Sequence, residues 1–247
     1  MAASRLDKLL SQSGERTRSE AARLIRAGRV SVDGAAQTNP AYKTDAAENT
    51  VCLDGQKISD APYRYVMLHK PAGVITAASD HKAETVMRLL PKSMQVRHVM
   101  PVGRLDKDTT GLLLLTNDGT LSHRLLAPKT HVWKEYFVTV DGLLTAEHTG
   151  AFTQGVRLGD FTALPAELKI ISASAEESRA AVKLREGKYH QVKRMFLAFG
   201  LRVTSLHRQA FGPLELDIPP GGYRALHDAE IKALYAAAAM DSEGRHG

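Results

Sequence analysis

The sequence predicts an α+β fold in two parts. A small α/β module occupies residues 1–60, and a larger domain over 61–240 is built on a mixed, mostly antiparallel sheet flanked by helices. Three observations lead there. Strand-like runs dominate after residue 60 and do not alternate regularly with helices, which disfavours a doubly wound parallel sheet. The first sixty residues carry two helical patterns and a hairpin signal of their own. Between the two lies "SDAPYRY", where Pro62 marks a break. A chain of 247 residues is long enough for two domains.

In the module, "RLDKLLSQSG" has helical spacing, with Leu6, Leu9 and Leu10 on one face and a stop at Gly14. A second helix opens at Thr17-Arg18-Ser19-Glu20, a capping box, and stops at Gly28. "RVSVDGAA" then reads as a strand into an Asp33-Gly34 turn. In the larger domain the expected strands are "YRYVMLHK", "GLLLLT", "EYFVTVDG", "AELKIISAS", "RAAVKLREG" and "RVTSLHRQA". The expected helices are "LSHRLLAP", one from Tyr189 to Phe199, and "DAEIKALYAAAAM", with a frayed polar tail after Met240.

The composition excludes several classes. Cys52 is the single cysteine, so no intramolecular disulfide and no thiolate metal site can form, which suits a reducing cytoplasm. The N-terminus is charged by Arg5 and shows no signal peptide, and no apolar run reaches membrane-helix length. A cytoplasmic location without membrane association is expected. The histidines, among them His69, His98, His123 and His131, show no metal-ligand spacing. Charge is more telling. Residues 1–30 carry +4 and residues 183–208 carry +6, whereas the rest sums to −4. Two basic patches on an otherwise acidic chain suit a polyanionic partner such as nucleic acid, against the alternative of a merely solvated charged surface.

The stretch "GRLDKDTTGLLLLTNDG" (103–119) gathers three aspartates around one apolar run. Asp118 in "TNDG" reads as turn or helix lead-in, and Asp108 as a backbone-bonding residue before the strand. Asp106 follows Arg104 in a glycine-led loop, and local sequence leaves two readings of it open, a working carboxylate or a structural Asp–Arg pair. The string "DKDTT" also fits a phosphotransferase of the haloacid dehalogenase type, but there the apolar strand precedes the first aspartate, and here it follows. A glycosidase pair would flank its sugar rather than adjoin in sequence. In the helix at 189–199, Val192, Met195, Phe196 and Phe199 have the spacing of a buried face, leaving His190, Lys193 and Arg194 together on another. Trp133 is read as core rather than as a stacking surface.

The 103–119 stretch resembles the signature loop of RNA pseudouridine synthases, in the branch that modifies ribosomal RNA at single sites. "LHKPAG" (68–73), "KEYFVTV" (134–140) and "EGKYHQVKRMF" (186–196) resemble that family's other motifs, in the same order. The N-terminal sixty residues resemble the α-L (S4-like) RNA-binding module, and the likeness runs from about residue 5 to 231.

The resemblance implies roles by position. Asp106 would be the nucleophile, Arg104 would assist base extrusion, Tyr136 would stack on the flipped uracil, and Lys193 would pair with the aspartate. His190, Gln191 and Arg194 would join Arg104, Tyr136 and Lys193 in binding substrate. Arg5, Lys8, Arg18, Arg23 and Arg29 would bind RNA through the module. Enzymes of large-subunit RNA tend to carry arginine where His190 and Lys193 stand, so the resemblance implies a small-subunit target, uridine 516 of 16S rRNA. Large-subunit activity and a non-catalytic assembly factor are the alternatives. The chemistry fits the residues. A carboxylate can add covalently and leave again, and a nearby cation favours its charged form. Stacking offsets part of the cost of flipping a base. The reaction only rearranges atoms, so no metal or other cofactor is expected; the expected partner is 16S rRNA or a small-subunit assembly particle, bound by a monomer.

Overall fold

The computed structural model of the protein describes residues 4–12, 16–45, 48–58, 63–91, 94, 99–130 and 132–240. The expected stop at Gly14, the break at Pro62, His98, His131 and the tail after Met240 lie outside the described residues.

The N-terminal module contains β1 (Ser4–Arg5), α1 (Leu6–Gln12), α2 (Arg18–Arg26), β2 (Val30–Val32), β3 (Ala35–Gln37), β4 (Lys43–Thr44), β5 (Val51–Leu53) and β6 (Gln56–Lys57). Thr17 caps α2 in a reciprocal box with Glu20, as its sequence specifies. Asp33 and Gly34 both take positive φ, the requirement of a tight hairpin turn, and join β2 to β3. The expected ribbon is larger than a hairpin, because β5 and β6 extend it to a four-stranded sheet in the order β3-β2-β5-β6. Leu6, Leu9 and Leu10 of α1 pack with Ala21 and Ile25 of α2 and with Val30, Val32 and Val51 of the sheet.

The larger unit is built on β7 (Tyr65–Lys70), β8 (Met100–Pro101), β9 (Thr110–Thr116), β10 (Lys134–Asp141), the small β11 (Arg157–Leu158) and β12 (Phe161–Thr162), β13 (Glu167–Ala173), β14 (Glu177–Leu184), β15 (Arg202–Phe211), β16 (Leu214–Glu215) and β17 (Tyr223–Ala225). Its nine-stranded sheet runs β13-β14-β10-β15-β9-β7-β17, with β16 on β15 and β8 on β9. Only the β15–β9 pairing is parallel; the sheet is mixed and mostly antiparallel, as expected. The helices are α3 (Gly119–Leu126), α4 (Ala146–Gln154), α5 (Gln191–Leu197) and α6 (Asp228–Ala237).

The burial pattern explains the sequence. Successive strand residues face opposite sides of a sheet. In β9, Leu113 and Leu115 enter a core with α4 and α5, and Leu112 and Leu114 enter a second core with α3 and α6. A strand covered on both faces is apolar throughout, hence "LLLL". Strands β10 and β14 alternate buried and more exposed positions instead.

Three expectations need correction. The helix expected from Tyr189 to Phe199 spans only Gln191–Leu197, because His190 takes a left-handed conformation (φ 49°) at its N-cap. Phe199 therefore lies beyond the helix and is 37% exposed. The sequence reading missed α4, whose apolar signal is weak: Phe152 is its one buried residue. Trp133 is not core but half-buried, with Arg185 and Lys183 over its ring.

Candidate active site

Asp106 sits in the loop between β8 and β9, and the backbone of that loop is held from below. Thr76 Oγ1 donates to the Leu105 carbonyl (2.8 Å) and accepts from the Leu105 N–H (3.1 Å). Gly73 N–H donates to the Lys107 carbonyl at 2.8 Å. Lys70, fully buried at the end of β7, donates from Nζ to the carbonyls of Pro71 (3.0 Å), Lys107 (3.3 Å) and Thr109 (2.8 Å). Burial pushes its ammonium down to about 8, with Asp108 and Asp106 opposing that shift. "LHKPAG" thus clamps the acid loop.

The loop's exit is fixed by contact with β15. Gly111 has φ +110°, and a Cβ there would meet the Arg208 carbonyl oxygen at 2.3 Å, so only glycine permits the approach. Arg208 Nε then donates to the Leu112 carbonyl at 2.7 Å.

From above, α5 delivers cations. Lys193 Nζ lies 3.1 Å from Asp106 Oδ2 and 2.6 Å from Asp108 Oδ1. Burial of Lys193 works against its charge, but the hydrogen bonds to Asp108 and Asp106 win and raise it. Asp108 is lowered in turn by that hydrogen bond. His190 Nε2 is 3.4 Å from Asp106 Oδ1, and the Tyr189 ring stacks on the His190 ring at 3.8 Å. Asp108 does more than the expected backbone bonding: besides a bond to its own backbone, its carboxylate shares Lys193 with Asp106. Asp118 does cap α3, accepting from Leu121 N–H, and also accepts from the hydroxyls of Tyr65 and Tyr235.

A small pocket of about 70 Å³ opens at this point, lined by Arg104, Asp106, Tyr136, Leu184, His190 and Gln191 among others. Tyr136 is buried on β10, and Arg104 is exposed at the rim. Gln191 is buried; it accepts from Lys188 N–H (2.9 Å) and donates to Glu186 (2.7 Å), holding the preceding loop. Arg194 does not join the group around Asp106 but pairs with Asp160. In the module, Arg5 and Arg18 both pair with Asp7, and Arg29 with Asp54. Asp7 is lowered to about 2, first by its hydrogen bond with Arg5. Lys8 is half-buried and Arg23 is exposed.

Sequence reasoning passed over Lys70, Lys134 and Arg208, all buried cations beside the site. The signal for Lys134 was present: it occupies the same face of β10 as Tyr136 and Val138 and so points inward. Burial, then the neighbouring Arg208, pushes Lys134 down to about 8. Among the described residues no group of three or more His, Cys, Asp or Glu could hold a metal ion, and no helix is long and apolar enough to cross a membrane.

A mixed sheet presenting one loop carboxylate to Lys193 and His190 at a tyrosine-lined pocket, with a small module ahead of it whose first thirty residues carry +4, fits an RNA-modifying enzyme. The chain belongs to the RNA pseudouridylate synthase family: that family's model matches residues 64–198, and an S4 domain model matches residues 4–49. It is 39% identical over 238 residues to the ribosomal small subunit pseudouridine synthase A of Vibrio cholerae, covering 94% of this chain and 99% of the relative. The Escherichia coli protein of the same name is 39% identical over 236 residues, covering 93% and 99%. A Bacillus subtilis protein named uncharacterized RNA pseudouridine synthase YtzG is 38% identical over 233 residues, covering 93% and 98%. A solved structure described as a pseudouridylate synthase superposes with a TM-score of 0.66 at 33% identity, covering 93% of this chain and 99% of that one.

Proposed function

We propose that the protein converts one uridine of small-subunit ribosomal RNA to pseudouridine, at position 516 of 16S rRNA, with Asp106 as nucleophile. The relatives named for the small ribosomal subunit, matched over nearly their full length, support the choice of RNA. The observation that carries the role of Asp106 is its position: it lines the same small pocket as Tyr136, and its two oxygens face Lys193 and His190.

The residues divide the work as follows. The target base leaves its stack, a cost of a few kcal/mol, and the Tyr136 ring receives it. Arg104 at the rim fills the space the base vacates. Asp106 adds at C1′ as the bond between C1′ and N1 breaks, the uracil turns, and C5 bonds to C1′ as the bond to Asp106 breaks and the carboxylate is released. The C5 proton then leaves to solvent and N1 gains one, so the product is an isomer. Lys193, 3.1 Å from Oδ2, holds the carboxylate aimed. The module binds flanking RNA through Arg5, Lys8, Arg18, Arg23 and Arg29, with Asp7 fixing two of these guanidiniums.

The test is tritium release from 16S RNA, and from small-subunit assembly particles, labelled at uridine C5. Wild-type protein releases tritium and Asp106→Asn does not. Undiminished release by that variant would remove Asp106 from the mechanism. Binding without release from any RNA form would favour an assembly factor.

A further inference from the structure

Beside the small pocket lies a second cavity of about 290 Å³, far more space than the ~10–15 Å³ a single water needs. The two share Arg104, Tyr136, Gly187 and Lys188, so they are continuous around the tyrosine. Five cations line the second cavity: Arg104, Lys134, Arg185, Lys188 and Arg208. Glu186 is its one acid, and its Oε1 is engaged by Leu164 N–H and Gln191.

Two of these cations are buried where burial is costly. Arg208 is 2% exposed and Lys134 is 8% exposed. Among the described residues, neither has a carboxylate within ion-pair distance. Arg208 satisfies Nε on Leu112, but its Nη2 is buried without a hydrogen-bond partner. Lys134 Nζ has one bond, to the Val132 carbonyl at 2.9 Å, and both cations flank the Phe211 ring. Like charges placed together in a low-dielectric wall are unfavourable unless an anion joins them. Arg185 and Lys188, at the mouth, lie over the rings of Trp133 and Phe161. That pins the guanidinium and ammonium in place without neutralising them.

We propose that this cavity is a phosphate subsite, with Lys134 and Arg208 at its floor and Arg185 and Lys188 at its mouth. The proposal rests on the RNA-modifying reading only for its source of phosphate. A strand whose target base sits against Tyr136 would place a flanking phosphodiester here; a free phosphate has the same chemistry. Arg104, which lines both cavities, would then sit between the flipped base and its backbone.

The test uses the full chain, with inorganic phosphate as probe and chloride at equal ionic strength as control. Titration of the Lys134 ammonium by NMR is expected to move to higher pH in phosphate, saturably, and not in chloride. Arg185→Gln, at an exposed position, weakens that response several-fold. In the second arm, RNA binding is measured against salt for wild type, Arg185→Gln and Lys134→Met. Each lost phosphate contact makes the slope of log K against log salt shallower by about 0.7. Displacement of phosphate by RNA together with shallower slopes identifies the strand as the source. Shallower slopes without a phosphate response identify it too. A phosphate response with unchanged slopes identifies a free anion. No response beyond chloride, with unchanged slopes, overturns the subsite. Tritium release by wild type is read in parallel, so failure of the pseudouridine reading is seen separately.

Discussion

Lys70 Nζ lies 2.8 Å from the carbonyl oxygen of Thr109, three residues beyond Asp106, and this bond joins the first strand of the large sheet to the acid loop. The ammonium's hydrogen bonds go to backbone oxygens, fixing where the carboxylate points, while Asp108 and Asp106 act on its charge from a distance. Lys70→Met removes a donor from three carbonyls, of which that of Lys107 keeps Gly73 N–H, and is expected to lower stability by about 1–3 kcal/mol. It also lowers kcat by loosening the loop. The pH dependence has a definite sign. Lys70 is lowered to about 8 in the fold, so between about pH 8 and pH 10 the unfolded chain holds more protons and stability rises with pH. Urea unfolding at pH 7.5 and 9.5 should show a larger increment in the wild type than in Lys70→Met, which keeps only the contribution of Lys134, lowered to about 8 in the same way.

Lys193 serves two carboxylates, and its shorter contact is with Asp108. If Asp106 is the working group, Asp108→Asn leaves Lys193 free to concentrate on it, and tritium release stays within a few-fold of wild type. Lys193→Met should reduce release by about 100-fold or more, in line with the loss of a charge-stabilising group in an active site. Equal losses in the two variants would mean that the pair of acids acts as a unit.

Gly111 is the tightest point of the site's scaffold. Gly111→Ala forces a Cβ against the backbone of Arg208 at a φ that only glycine tolerates. A loss of about 3 kcal/mol or more is expected, among the large effects for a single substitution. Denaturant unfolding measures it. An effect below about 1 kcal/mol would mean that β9 and β15 can separate locally without cost.

Asp118 gathers three jobs in one buried carboxylate, capping α3 and accepting from two tyrosine hydroxyls. Asp118→Ala should cost about 2–4 kcal/mol, combining a lost cap with loss of the acceptor shared by two tyrosine hydroxyls, which still hydrogen-bond each other. Tyr65→Phe removes one partner only and should cost about 1 kcal/mol. Thermal unfolding of both variants checks the ratio. Neither substitution touches the pocket, so kcat at a temperature well below unfolding stays unchanged.

Much of this fold was readable because its signals are local. The capping box at Thr17 and Glu20, the Asp33-Gly34 turn and the doubly buried "LLLL" each specify their element from adjacent residues. Asp106 was different: local sequence left it balanced between structure and chemistry, and only its resemblance to the family's signature loop favoured chemistry. What escaped was set by tertiary contact. The left-handed His190 marks the N-terminal end of α5 and stands 3.4 Å from Asp106, and nothing within "KYHQVK" announces that. Asp108 was read as a backbone ligand because its true partner is 85 residues away. Buried Lys70 and Arg208 were invisible as a pair of clamps, since each donates to carbonyls that sequence does not mark.

The short parallel join between β9 and β15 also bears on when the site can exist. Thr110 and Gly111 meet His207 and Arg208, so the acid loop is closed by residues almost a hundred positions downstream. Contacts of such long sequence separation form late and slow a domain's folding. During synthesis from the N-terminus, the RNA-binding module can be complete while the loop bearing Asp106 still lacks its closing strand. A nascent chain would thus be able to hold RNA before it can act on it, and chemistry would begin only when nearly the whole protein has been made.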